Sequence, residues 1–166
     1  LGRALVFLNE QNLITWGKSL GQVFELAQET LLKTSLPAKW RQPVPNVFFW
    51  EQQDDSHVSD RALILKDLIE PWPELGVIVM VPRRDTLIYT PVDGFLLQRL
   101  GGLLHLTYDK WLEGPWPCAP SPLWFDGVSF EPIQLHQDES SGRLTGGLSP
   151  RLAHALEHGT LIPRNG

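Results

Sequence analysis

Cysteine occurs once in this 166-residue sequence, at Cys118, and one thiol cannot close an internal disulfide. A stapled secreted scaffold is thereby excluded, and a reducing compartment, the cytoplasm, is the expectation. Positive charge is scarce as well. Fourteen Lys and Arg stand against 19 Asp and Glu, a formal net charge of −5, and only Arg83-Arg84 places two basic residues together. Nothing forms a stripe able to neutralise a phosphate backbone, so no nucleic-acid partner is expected. Long apolar runs are missing too: "GVIVMV" and "LGGLLHL" fall far short of the ~20 residues that span a bilayer. No charged-then-apolar signal segment opens the chain, and no membrane partner is expected. Repeats at solenoid spacing and low-complexity tracts are also lacking.

What remains is the composition of an ordinary soluble globular protein, 42% hydrophobic and 20% charged. A chain of this length forms about one domain and buries roughly 70% of its extended surface. Tryptophan is abundant, with seven residues, each bringing a large ring to bury and an N–H to satisfy. Because Leu1 runs straight into the apolar "ALVFL", the chain is expected to be the ordered part of something longer.

Periodicity supplies the elements. "RALVFL" (Arg3 to Leu8) reads as a strand. In "SLGQVFELAQETLLKTSL", Leu20, Val23, Phe24, Ala27, Leu31 and Leu32 recur at three- and four-residue spacings, predicting an amphipathic helix capped by Ser19 and ended near Pro37. "PAKWRQPVP" reads as a proline-rich connector and "NVFFWEQ" as a strand. "DRALILKDLIEPWP" is read as a helix, with Ala62, Leu65, Leu68 and Ile69 on one face and Pro71 and Pro73 beyond it. "VIVMV" and "TLIYT" form a hairpin around Pro82-Arg83-Arg84-Asp85, with Pro82 presetting the turn and Asp85 bonding back to the backbone. Val77, Ile78 and Val79 in succession predict a central strand covered on both faces.

"DGFLLQRLGGLLHLTYDKWLEG" is a second long helix, capped by Asp93, in which Gly101-Gly102 predicts a close approach to the sheet or a kink. Asp126-Gly127 joins two β-rich runs as a hairpin. "SPRLAHALEHG" closes the chain as a helix with Ser149 as cap, Pro150 in the first position and Gly159 past the end. The fold class is therefore α+β, a mixed, largely antiparallel sheet with helices packed against it. Residues 1–136 are expected to form the domain, and 137–166 a flexible segment followed by the short helix.

In their order and spacing, "RALVFLNEQNLITWGKSLGQVFELAQETL", "DDSHVSDRALIL", "GVIVMVPRRDTLIYTPVD" and "SPLWFDGVSFEPIQL" resemble the C-terminal half of the YtpQ-like bacterial proteins, a family of unknown function. The resemblance runs from Arg3 to Leu135. It implies a fold and transfers no active site.

Several side-chain groups invite a chemical reading. "EQQDDSHVSD" gathers Glu51, Asp54, Asp55, Ser56, His57 and Asp60, oxygen-rich enough for a hard cation, but without the glycine and terminal glutamate of an EF-hand loop. Ser56, His57 and an aspartate are the groups of a hydrolase triad, though no nucleophile elbow surrounds the serine. Arg83 and Arg84 can clamp an anion with Asp85 orienting them. "HALEH" places His154 and His158 one helical turn apart around Glu157, but a catalytic zinc needs a third protein ligand. Cys118, flanked by prolines, reads as a half-buried loop thiol rather than a nucleophile activated by His105 or His57, because the sequence shows no thiolate-stabilising environment. No metal site and no cofactor is expected.

Two functional expectations follow. The first is a binding or accessory domain that engages another protein, or itself, through exposed aromatic and sheet-edge surface; the tryptophan excess, with Trp40, Trp72 and Trp116 in proline-rich segments, motivates it. The alternative is a hydrolase-type enzyme whose site joins the acidic loop (54–60) to the Pro-Arg-Arg-Asp turn (82–85), with Asp54, Asp55, His57, Arg83, Arg84 and Asp85 as its binding residues.

Overall fold

A computed structural model of the chain describes residues 9–55, 57–137 and 144–162. The strand expected at Arg3 to Leu8 lies outside them, as do Ser56 and most of the segment expected to be flexible. Element order is α1 (Glu10–Trp16), α2 (Leu20–Ser35), β1 (Arg41–Val44), β2 (Val47–Glu51), a 3-10 helix (Ser59–Ile64) running into α3 (Leu65–Leu68), β3 (Val77–Arg83), β4 (Thr86–Pro91), α4 (Leu96–Leu112), β5 (Leu123–Phe125), β6 (Phe130–Pro132), β7 (Gln134–Gln137), β8 (Leu144–Gly147) and α5 (Pro150–His158). The architecture is α+β. Every strand pairing among the described residues is antiparallel, in a six-stranded sheet of order β1-β2-β4-β3-β5-β6 and a separate β7-β8 pair.

Side-chain alternation along the strands builds two cores, because successive residues point to opposite sides of a sheet. Trp50, Val77, Val79, Leu87, Tyr89 and Phe125 face one side, where Val58, Ile64, Leu65, Leu68 and Ile69 of the 3-10/α3 segment cover them. Ile78 and Trp124 face the other, against Leu96, Leu100 and Leu104 of α4 and Leu152 and Ala155 of α5, while Phe49, Met80 and Ile88 on the same side meet Leu103. β3 is therefore covered on both faces, as its unbroken apolar run predicts. The result is three layers, with α2 in the first.

Polar groups tie the layers together. Arg61, buried, donates from Nε to Ser35 Oγ at 2.9 Å and lies 4.5 Å from the Trp50 ring centroid, fixing the C-terminal end of α2 to the sheet. Trp40 packs edge-on against Trp50 and Tyr89 and donates to the Leu68 carbonyl at 3.2 Å. On the opposite side, Arg151 of α5 pairs with Asp126 at 2.7 Å and with Glu131, and lies over Trp124.

Local capping follows the sequence in most places. Ser19 and Gln22 form a capping box on α2, and α5 has its Ser149 cap, Pro150 and a left-handed Gly159. Four expectations are corrected. The sequence pattern predicts no helix at Glu10–Trp16, yet Asn9 and Asn12 form a reciprocal capping box and Gly17 ends the helix at φ 61°. The "RQPV" of the proline-rich connector is edge strand β1, where a proline lacking its N–H is tolerated. Asp93 is not the cap of α4: its carboxylate accepts the Phe95 N–H at 2.8 Å and the Arg99 guanidinium at 2.9 Å, and the helix starts at Leu96. Gly101 and Gly102 are exposed, and a Cβ on either would meet nothing within 4 Å, so neither serves a close approach.

Candidate functional site

The turn between β3 and β4 consists of Arg84 and Asp85, with Pro82 inside β3 rather than at the first turn position. Pro82 sits where the β3–β4 register shifts, so its missing N–H falls at a bulge. Asp85 is buried and fully engaged. Arg83 donates to it through Nε at 2.9 Å and again through a second guanidinium nitrogen, and Thr86 Oγ1 donates at 3.0 Å. Burial alone would raise this carboxyl; the hydrogen bonds from Arg83 and Thr86 outweigh it and hold Asp85 below the ordinary aspartate value of 3.8. Arg84 projects into solvent.

The acidic loop closes on itself in a similar way. Asp55 accepts the His57 backbone N–H at 2.9 Å and an Arg61 guanidinium nitrogen at 2.7 Å. Desolvation again raises the Asp55 carboxyl, but Arg61 and the His57 N–H bring it below 3.8. The His57 ring meets Asp60 at 2.9 Å on the surface, and Asp54 is exposed.

Backbone contacts bring loop and turn side by side: Gln52 N–H bonds the Asp85 carbonyl at 3.1 Å and Ser59 N–H the Arg84 carbonyl at 2.9 Å. Their side chains stay in separate pairs, Asp55 with Arg61 and Asp85 with Arg83. Cys118 lies nearby, its N–H on the Pro82 carbonyl at 2.8 Å. Cys118 is exposed rather than half-buried; the partial desolvation its thiol meets moves it upward from 9.0, against the opposing pull of Arg84 and away from the thiolate. His154 and His158 lie beside each other with ring centroids 4.3 Å apart and planes tilted by 53°. Among the described residues no three His, Cys, Asp or Glu side chains are grouped to hold a metal ion.

Concave and apolar surface lies elsewhere. Between β1 and α4 a groove of 540 Å³ is lined by Pro43, Val44, Phe49 and Leu106, with Arg41, Glu51 and Lys110 at its charged part. Glu51 holds Lys110 at 3.1 Å and Arg41 at 3.3 Å. Burial lowers the Lys110 ammonium, and Glu51 more than restores it, so the net direction is upward. This charge pair is 59 residues apart in sequence and carried no local signal.

The larger departure from expectation is α2. Of the apolar residues assigned to its core face, only Leu31 and Leu32 pack on the core, whereas Leu20 is 60% and Phe24 49% exposed and Ala27 is exposed. Leu26 (45%), and Ile14 (66%) and Trp16 (50%) on α1, extend the open surface. No residue of α1 is buried, and only Ser35 of α2 is. Along α2 a trough of 460 Å³ is lined by Val23, Leu26, Ala27, Thr30, Leu31 and Thr34. A helical wheel contains the signal: the apolar and small residues of α2 span an arc wider than one neighbouring surface covers. Of the three tryptophans in proline-rich segments, Trp40 and Trp72 pack against the core and only Trp116 is exposed.

In comparison with known proteins, the chain is 25% identical over 135 residues to UPF0354 protein lwe1624 of Listeria welshimeri, covering 80% of this chain and 50% of that protein. It thus spans about half the length of the curated relative it matches, whose name states no activity. No protein-family model and no solved structure matches. Among the described residues no helix is long and apolar enough to cross a membrane.

Proposed function

We propose that the protein is a binding or accessory domain whose working surface is the open apolar face of α1 and α2, engaged by a helical segment of protein. One observation carries the reading: two consecutive, well-capped amphipathic helices leave Ile14, Trp16, Leu20, Phe24 and Leu26 in solvent. Isolated helices shorter than ~12–15 residues are marginal in water, and most helical stability in proteins comes from packing of the apolar face. α1 has seven residues and buries none of them. Capping boxes organise these helices, but packing must come from a surface that covers them. A helical partner suits the trough, because Ala27, Thr30 and Thr34 keep it shallow enough for close approach. The YtpQ-like kinship and residence in the cytoplasm belong to this proposal, supported by the distant relative and by the lone thiol.

The test is site-specific photo-crosslinking in the cell. A benzophenone side chain at Phe24 is expected to form a discrete protein adduct, and one at exposed Lys66, on the 3-10/α3 side, is not. Equal labelling at both positions, or none at Phe24, contradicts the reading.

A further inference from the structure

We infer that the groove between β1 and α4 is a second binding site, which takes a small organic carboxylate with an unbranched apolar tail; the inference is independent of the reading of α1 and α2. At 540 Å³ the groove is larger than the 460 Å³ trough along α2 and falls within the range of small-molecule sites. Its lining is divided as such sites are, into an apolar part and a few charged groups that converge.

The apolar part is anchored in the core. Phe49 is buried with Met80, Ile88 and Leu103, and half-buried Leu106 packs against that cluster. These side chains are held by their neighbours, so no ligand is needed to order them. Pro43 and Val44 supply the wall on the sheet edge, where Val44 is 50% exposed. An apolar tail laid in the groove removes Val44 and Leu106 from water.

Charge selects the head group. The lining carries two cations, Arg41 and Lys110, against the single anion Glu51, a surplus of one positive charge. Glu51 meets Lys110 with one carboxylate oxygen at 3.1 Å and Arg41 with the other at 3.3 Å. One carboxylate thus holds two cations side by side, and each keeps N–H groups for a further acceptor. Glu113 also meets Lys110, at 3.4 Å, but it lies outside the lining and its side chain is 56% exposed, so water screens it. A ligand carboxylate shared by Arg41 and Lys110 completes an alternating set of two cations and two anions. Its planar oxygens also suit the guanidinium fork.

The same features exclude other occupants. An alkylammonium would add a third cation beside Arg41 and Lys110, and a phosphate monoester brings close to two negative charges against a surplus of one. β1 is an edge strand, but proline on an edge strand discourages pairing with an added peptide strand, and Pro43 stands within β1.

Titration of the full chain with decanoate, followed by amide NMR shifts, reads affinity and place together. Saturable shifts are expected at Phe49, Glu51, Leu106 and Lys110. Each methylene removed from the tail should weaken binding about fourfold, so octanoate binds about fifteenfold more weakly than decanoate. Decylammonium should bind about tenfold more weakly than decanoate. Arg41→Glu, at a side chain 66% exposed, turns the surplus of the lining from positive to negative. It should weaken decanoate and strengthen decylammonium, an exchange that a misfolded variant would not show. Val44→Trp should fill the groove and suppress the shifts from both ligands. Equal affinity for decanoate, decanol and decylammonium would reveal nothing more than adsorption to apolar surface and would overturn the inference. Shifts confined to α1 and α2 would overturn it too, while leaving the open face of those helices as it stands.

Discussion

At the scale of single residues, three buried or half-buried aspartates govern the acid response. Asp55, Asp85 and Asp126 are each desolvated, yet Arg61, Arg83 and Arg151 hold them below 3.8. A carboxyl lowered in the folded state means that the unfolded chain binds more protons around that pH. Its stabilisation is therefore complete above about pH 4 and is lost as pH falls through the folded values. Urea midpoints should hold between pH 7 and pH 5 and drop steeply below pH 4, less steeply in Asp85→Asn. Asp85→Ala removes one partner of a buried pair and should cost about 3 kcal/mol, read from the same urea curves. If it cost nothing while abolishing a ligand interaction, the hydrolase-type alternative would gain its first support. Tyr89, buried under Trp40 and Phe48, has its phenol pushed up to about 12 by desolvation, so a late step in the ultraviolet titration should belong to it and vanish in Tyr89→Phe. The sequence marked Asp85 and Asp55 as residues of interest but did not show their partners: Arg83 lies two positions from Asp85 and Arg61 six from Asp55, and the further contact that anchors Arg61, to Ser35, crosses 26 positions.

At the scale of elements, legibility followed locality. The covered strand β3 was readable because three successive apolar residues require cover on both faces, and α5 because its cap, proline and terminal glycine are all local signals. β1 was not, since its proline-rich "RQPV" says loop and only the pairing with β2 makes it a strand. Gly101 and Gly102 misled for the opposite reason: helix-interior glycines invite a packing explanation, and α4 places both toward open space. Each should therefore be a plain propensity cost. Gly101→Ala should gain about 1 kcal/mol, raising the thermal midpoint by about 2–4 °C; an unchanged or lower midpoint would restore a packing role. Gly76 is the counterexample, at φ 79° with a Cβ that would collide with the Phe125 carbonyl oxygen, and Gly76→Ala should destabilise strongly.

At the scale of the whole molecule, two of the three layers are closed by their own side chains, whereas no described residue closes the α1–α2 end of the first. The apolar periodicity of α2 was readable in the sequence, but which part of the arc meets the body was not, because that depends on where Arg61 and Leu63 grip the helix through Ser35 and Gln28. Amide hydrogen exchange of the dilute chain tests the openness of that face most directly. Amides of Gln11 to Ala27 should exchange orders of magnitude faster than those of β3 and β4. Protection of Gln11 to Ala27 equal to that of β3 and β4 in the dilute chain would show the face already packed, and would contradict a binding surface there.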